Sequence, residues 1–106
     1  MSVTAVFAAL GDDVRLRLIQ KLVASGPSPM GRLAEGERVT RQAIAKHLGV
    51  LGRAGLAVVR RKGREQIWTI EPARLREAEQ YLEQISSQWD LAIERLRTFV
   101  EEPPEA

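Results

Sequence analysis

At 106 residues, with no cysteine, a single histidine and a formal net charge of +2, the chain excludes several function classes at the outset. The length suits one domain with a limited core. The lack of cysteine rules out disulfides and thiolate metal sites and fits a cytoplasmic protein. No apolar run approaches membrane-spanning length, no basic-then-apolar leader opens the chain, and no internal repeat or low-complexity tract is visible.

Val3 to Leu10 predicts a short first helix with Val3, Val6, Phe7 and Leu10 on one face. Gly11 interrupts it, and Asp12 or Asp13 can cap a second helix by accepting a first-turn amide. There Val14, Leu18, Ile19, Leu22 and Val23 make the buried stripe, while Arg15, Arg17 and Lys21 face water. Gly26 and Pro27 end this helix. Ser28-Pro29 begins a short third helix, with Ser as cap and Pro where its missing amide costs nothing. Met30 and Leu33 point inward from it, Met30 as core filler. Gly36 to Val39 forms a turn.

Thr40 can cap the next helix, in which Ile44, Leu48 and Leu51 recur as one apolar stripe. Arg41, Gln42, Ala45 and Lys46 lie on its other side, beginning at the N-terminus. Arg fits guanine, Gln fits adenine and Lys pairs with phosphate, so this face suits a DNA groove. A short helix, a turn and a longer helix form a helix-turn-helix pattern. His47 sits beside the apolar stripe, where a packed or phosphate-touching role outweighs a catalytic one. A lone histidine cannot build a zinc site. Gly55 breaks the helix.

Ala57 to Arg61 and Glu65 to Ile70 read as two strands rich in β-branched and aromatic residues, joined by a Lys62-Gly63 turn. Arg60, Arg61, Lys62 and Arg64 make the tip of this β-wing basic. Trp68 reads as a sheet residue packing on the domain. Pro72 then opens a last helix. Leu75, Ala78, Leu82, Ile85, Trp89, Ala92, Leu96 and Phe99 form a heptad-like seam along it. At 1.5 Å per residue the helix runs roughly 40 Å, too long for so small a domain to cover. A dimer interface is therefore favoured over packing along its own core. It would be built from Leu75, Leu82, Ile85, Trp89 and Leu96, with Val3, Val6 and Leu10 added from the first helix. The expected layout is a single domain over 1–100, with recognition helix about 40–53, wing about 57–70 and C-terminal helix about 72–100. A frayed tail over 101–106 completes it.

Charge is distributed unevenly. From Arg38 to Arg64 there are eight Lys or Arg residues and no Asp or Glu. From Glu71 onward nine acidic residues oppose four basic ones. A basic middle and an acidic tail thus lie behind a small net charge, and a nucleic acid responds to the local charge. An acid-free run of this length makes a nucleic-acid face a better reading than a solvated charged surface.

These stretches together resemble the ArsR/SmtB family of winged-helix repressors. The resemblance covers about Val6 to Val100. It rests on FAALGDDVRLRLIQKL at Phe7 to Leu22, TRQAIAKHLGVLGRAGL at Thr40 to Leu56, and RRKGREQIWTI at Arg60 to Ile70. It implies a mainly helical winged helix-turn-helix with a small β-hairpin and long terminal dimerisation helices. It also implies a homodimer and a major-groove role for Arg41, Gln42, Ala45 and Lys46. Many members carry Ser where Ala45 stands and His where Lys46 stands, so a familiar target sequence does not follow. Metal-sensing members carry a Cys pair on the third helix or Asp and His ligands on the last. Here the third helix, SPMGRLAEG, has no Cys and the last has no His, which resembles the non-metal-sensing branch. Glu79, Glu83, Asp90 and Glu94 could at most hold a hard cation, and a solvated helix face explains them better.

The expected function is sequence-specific binding of double-stranded DNA by a homodimeric repressor on a pseudo-palindromic operator. It needs no metal and no cofactor, does not involve a membrane, and leaves room for a small-molecule effector of unspecified identity. The alternative is a protein-interaction module whose basic face binds an acidic partner. An enzyme fits least, since no nucleophile–base pair, metal cluster or Gly-rich phosphate loop is present.

Overall fold

The structure, a computed structural model, describes residues 3–101. Its elements in order are α1 (Val3–Leu10), α2 (Asp13–Ser25), β1 (Ser28–Pro29), α3 (Met30–Ala34), α4 (Arg41–Arg53), β2 (Ala57–Lys62), β3 (Glu65–Ile70) and α5 (Pro72–Glu101). Glu101, the first residue of the expected frayed tail, closes α5, and the rest of that tail lies outside the described residues. The architecture is a winged helix-turn-helix with a long C-terminal helix.

One apolar centre gathers the short helices. Leu18 and Leu22 of α2, Leu33 of α3, and Ile44, Leu48 and Leu51 of α4 are fully buried, together with Val6 and Leu56. Burying a side chain of this size contributes about 1.5–3 kcal/mol, and truncating one to Ala costs about 2–5 kcal/mol. Trp68 of β3 joins the same cluster, as expected of a sheet residue packing on the domain. Its indole N–H is buried without an acceptor among the described residues. Val23 departs from the expected stripe and is exposed. It lies one residue, about 100° of helix turn, from the fully buried Leu22, off the face that the domain covers.

The sheet has three strands rather than two, in the order β1-β3-β2, all antiparallel. Ser28 pairs with Trp68 and Pro29 with Ile67. Ser28 is therefore not the cap of α3. It is a fully buried strand residue whose hydroxyl donates to the Gly26 carbonyl at 2.9 Å. Pro29 lies in the edge strand, where a missing N–H is tolerated, and α3 starts without a side-chain cap. Local sequence favours a cap at Ser-Pro, but pairing with the distant β3 overrides it.

Asp12 caps α2, accepting from the Arg15 backbone N–H at 3.0 Å. The other basic residues of α2 do not simply face water. Arg15 Nε donates to the Ala9 carbonyl at 2.7 Å, closing the C-terminus of α1. Arg17 makes a two-pronged contact with Glu37, and Lys21 Nζ reaches Glu37 at 3.0 Å. Lys21 also donates to the carbonyls of Leu33 and Glu35, the open end of α3. One carboxylate on the turn between α3 and α4 is thus clamped by two cations of α2. The Glu37 side chain is only 4% exposed.

The Arg17 and Lys21 hydrogen bonds pull the Glu37 carboxyl down to about 2. An unfolded Glu titrates near 4.3. The folded form therefore binds its proton less readily, and the stabilisation is complete above the unfolded value. It is lost as pH falls from there towards about 2. Urea unfolding across pH should show Glu37→Gln less stable by about 1.5–3 kcal/mol at neutral pH. The gap to wild type should close below pH ~4, near the unfolded Glu value. A gap that persists undiminished at pH ~2.5 would contradict the clamp.

Candidate nucleic-acid interface

The expected recognition helix, α4, begins where the sequence places its cap. Thr40 Oγ1 accepts from the Ala43 N–H at 3.1 Å. The helix ends in a Schellman arrangement, with Leu56 N bonded to Leu51 O at 3.0 Å and Gly55 N to Gly52 O at 3.1 Å. Gly55 has φ 78°, the left-handed conformation this stop requires. A Cβ added at Gly52 would lie 3.6 Å from the Trp68 ring, so the helix and the sheet approach closely there. These contacts fix the direction of the wing relative to α4.

With Ile44, Leu48 and Leu51 enclosed, the opposite face of α4 is forced outward. Thr40, Arg41, Gln42, Ala45 and Lys46 are all exposed, and so are Arg60, Arg61, Lys62 and Arg64 of the wing. The hairpin register pairs Lys62 with Glu65. The turn is therefore Gly63-Arg64, one residue later than expected, with Gly63 at φ 63°. No non-glycine residue has a positive φ among the described residues, so glycine alone takes the left-handed position, as in a type II′ hairpin. Strand alternation splits the wing cations between two faces. Arg61 shares the face of Val59 and its partner Trp68, while Arg60 and Lys62 take the other.

A groove of about 580 Å³ opens between α3, the first turn of α4 and the wing, and Arg32, Arg41, Arg61 and Arg64 line it. Arg32 was not foreseen. It precedes the acid-free run, and nothing in one dimension shows that α3 will lie beside the wing. Glu35 and Glu65 also reach the groove. Even so, none of the eight cations from Arg38 to Arg64 makes a side-chain hydrogen bond or ion pair among the described residues. The engaged cations, Arg15, Arg17, Lys21, Arg74 and Arg97, all lie outside that run. Five cations outside the run are engaged within the chain, while none of the eight inside it is among the described residues, although Glu35 and Glu65 stand at the edge of the groove.

His47 sits on the inward side of α4, half-buried. Its Nδ1 lies 3.2 Å from Arg15 Nη1 and 3.8 Å from Asp12 Oδ2. Arg15 carries only donors, so Nδ1 accepts there. His47 thus packs between elements, linking α4 to the capped ends of α1 and α2. The described residues contain no cluster of three or more His, Cys, Asp or Glu that could hold a metal ion. No helix is long and apolar enough to cross a membrane among them.

The residues expected at a dimer seam separate into two groups. Val6 is fully buried inside its own domain, and Val3, Leu10 and Leu75 are half-buried against that core. Phe7 of α1 meets Tyr81 of α5 with ring centroids 6.0 Å apart. Ile85 is half-buried beyond it. Leu82, Trp89, Leu96 and Phe99 are exposed, Trp89 at 64%.

No family model matches the chain. The HTH-type transcriptional regulator YuzN of Bacillus subtilis (strain 168) is 38% identical over 69 residues, covering 59% of this chain and 75% of YuzN. An ArsR-like transcriptional regulator from Rhodococcus sp. RHA1 superposes with TM-score 0.77 at 32% identity, covering 96% of this chain and 94% of its own. The homodimeric winged helix-turn-helix DNA-binding domain of Mb0332 from Mycobacterium bovis shares the fold, with TM-score 0.60 at 22% identity over 88% of this chain and 82% of that one. The first two of these are transcriptional regulators. With the capped recognition helix, the basic wing and an ArsR-like relative matched over almost its whole length, this chain belongs to the ArsR family of helix-turn-helix transcriptional regulators.

Proposed function

We propose that the protein is a homodimeric repressor that binds a pseudo-palindromic operator through two α4 helices and two wings. The observation that carries this reading is the face of eight cations from Arg38 to Arg64, none paired within the chain. A phosphate backbone supplies the missing counter-charge, and the exposed Arg41 and Gln42 supply base contacts. Dimerisation is supported by the exposed stretch of α5. The Cα radius of gyration is 19.8 Å, against ~13 Å for a compact chain of this length. The excess is the arm that α5 extends beyond its own domain. The relative from M. bovis is homodimeric. Occupying the operator would block promoter elements, and such a role places the protein with the DNA in the cytoplasm.

Selection from a random duplex library tests the core of this reading. It should return an inverted repeat with half-sites about one helical turn, ~10 bp, apart. A protein whose basic face served an acidic protein partner would return no such symmetry. On the selected duplex, Arg41→Ala or Gln42→Ala should each cost about 1–3 kcal/mol and relax preference at one or two base pairs. An unchanged sequence preference in both variants would remove these residues from base readout.

The wing is tested by salt. Neutralising Lys62 and Arg64 should weaken specific and nonspecific binding together. Each lost phosphate contact should flatten the log–log salt dependence by about 0.9. A slope equal to that of wild type would place the wing outside the interface.

The seam is tested at Trp89. Because this side chain is largely exposed within its own chain, Trp89→Glu should spare the domain fold. In a dimer contact the substitution would bury an unpaired charge, at about 3–5 kcal/mol. Sedimentation should then find a monomer with its helical circular dichroism intact and its tight operator binding lost. A variant that remains dimeric and binds normally would overturn the seam.

A further inference from the structure

Gly31 lies within α3, a helix of five residues. Its backbone does not require glycine, because the positive-φ glycines are Gly26, Gly36, Gly55 and Gly63. Inside a helix, glycine is also disfavoured relative to alanine. What distinguishes the position is its neighbour. A Cβ added to Gly31 would lie 3.2 Å from Arg41 Nη2, tighter than ordinary van der Waals contact. One nitrogen of the Arg41 guanidinium therefore lies over Gly31, in the groove that Arg61 and Arg64 border from the wing.

We propose that Gly31 is a positioning residue for Arg41 and, through it, a determinant of DNA affinity and preference. This rests on the DNA-binding reading above. Arg41 opens α4 and is exposed, so its long side chain has many rotamers to choose from. The bare backbone at Gly31 provides a surface on which the guanidinium can rest. It is then seated before DNA arrives, and less side-chain freedom is lost on binding. The seat also gives direction. Arg41 lies on the wing side of the recognition helix, so it and Arg61 address one segment of the duplex from two elements. An alanine methyl at position 31 would push that nitrogen by a few tenths of an ångström, and a leucine side chain would take its place.

Operator titrations with the full chain test this, using the duplex that wild type selects from a random library. The variants are Gly31→Ala, Gly31→Leu, Arg41→Ala and the two double substitutions. Gly31→Leu should weaken binding roughly 3- to 10-fold, the loss of one preordered side chain, and Gly31→Ala less, about 2- to 3-fold. Preference should change at the same base pairs that Arg41→Ala alters. In the Arg41→Ala background, neither change at position 31 should weaken binding further. Gly31→Ala should melt no lower than wild type, which separates the loss from unfolding. If Gly31→Leu does not fold, the alanine cycle alone decides. Wild-type affinity in Gly31→Ala, or losses of equal size with and without Arg41, would overturn the inference while leaving the DNA-binding reading in place. A wild-type chain that selects no duplex would overturn both.

Discussion

Burial of Ile44, Leu48 and Leu51 is the constraint on which the functional surface depends. These side chains are fully enclosed by α2, α3 and the sheet, and together contribute several kcal/mol of burial. At 3.6 residues per turn, a helix so anchored has no freedom about its own axis. Arg41, Gln42, Ala45 and Lys46 face outward because the other side of the same helix is committed to the core. The Thr40 cap sets where that face begins and the Schellman stop sets where the chain turns into the wing. The Glu37 clamp holds the turn in front of α4 against α2. The proposed readout face is thus positioned by apolar packing and its ends by hydrogen bonds.

Electrostatics divides the molecule in a way that net charge conceals. Framework cations close helix ends or pair with carboxylates: Arg15 on the end of α1, Lys21 on the end of α3, and Arg17 and Lys21 on Glu37. The cations of α4 and the wing are left with water. Salt screens such charges beyond ~8 Å under physiological conditions, so the face is tolerable in isolation. Its mutual repulsion falls further when phosphates are brought against it. Eight cations gathered on α4, its flanks and the wing with no internal partner among the described residues are the electrostatic footprint expected of a polyanion-binding surface.

α5 divides into two parts along its length. Its first turns belong to the domain, through Leu75, Ala78 and the Phe7–Tyr81 contact. The remainder carries Leu82, Trp89, Leu96 and Phe99 into solvent. In the proposed dimer these four side chains from each protomer would contribute on the order of 10–20 kcal/mol if fully covered. Association costs about 4–15 kcal/mol, so the two are of comparable size. Dimerisation on this surface would then be sensitive to a single seam residue.

Much of this was legible in the sequence because it depends on short-range periodicity. The α4 stripe, the Thr40 cap, the Gly55 stop, the two wing strands and the length of α5 all follow from residues within a few positions of one another. The acid-free run from Arg38 to Arg64 likewise marked the basic surface without any knowledge of the fold. What tertiary structure alone decided involves partners far apart in the chain. Glu37 is clamped by cations 16 and 20 residues away. Ser28-Pro29 is a strand only because Trp68 and Ile67 lie beside it, and His47 is held by an arginine 32 positions earlier. Val6 was divided from the rest of the seam, and Arg32 added to the basic groove, by which surfaces the packed helices cover. Local pattern specifies which face of an element is apolar or charged. Only packing decides what that face meets.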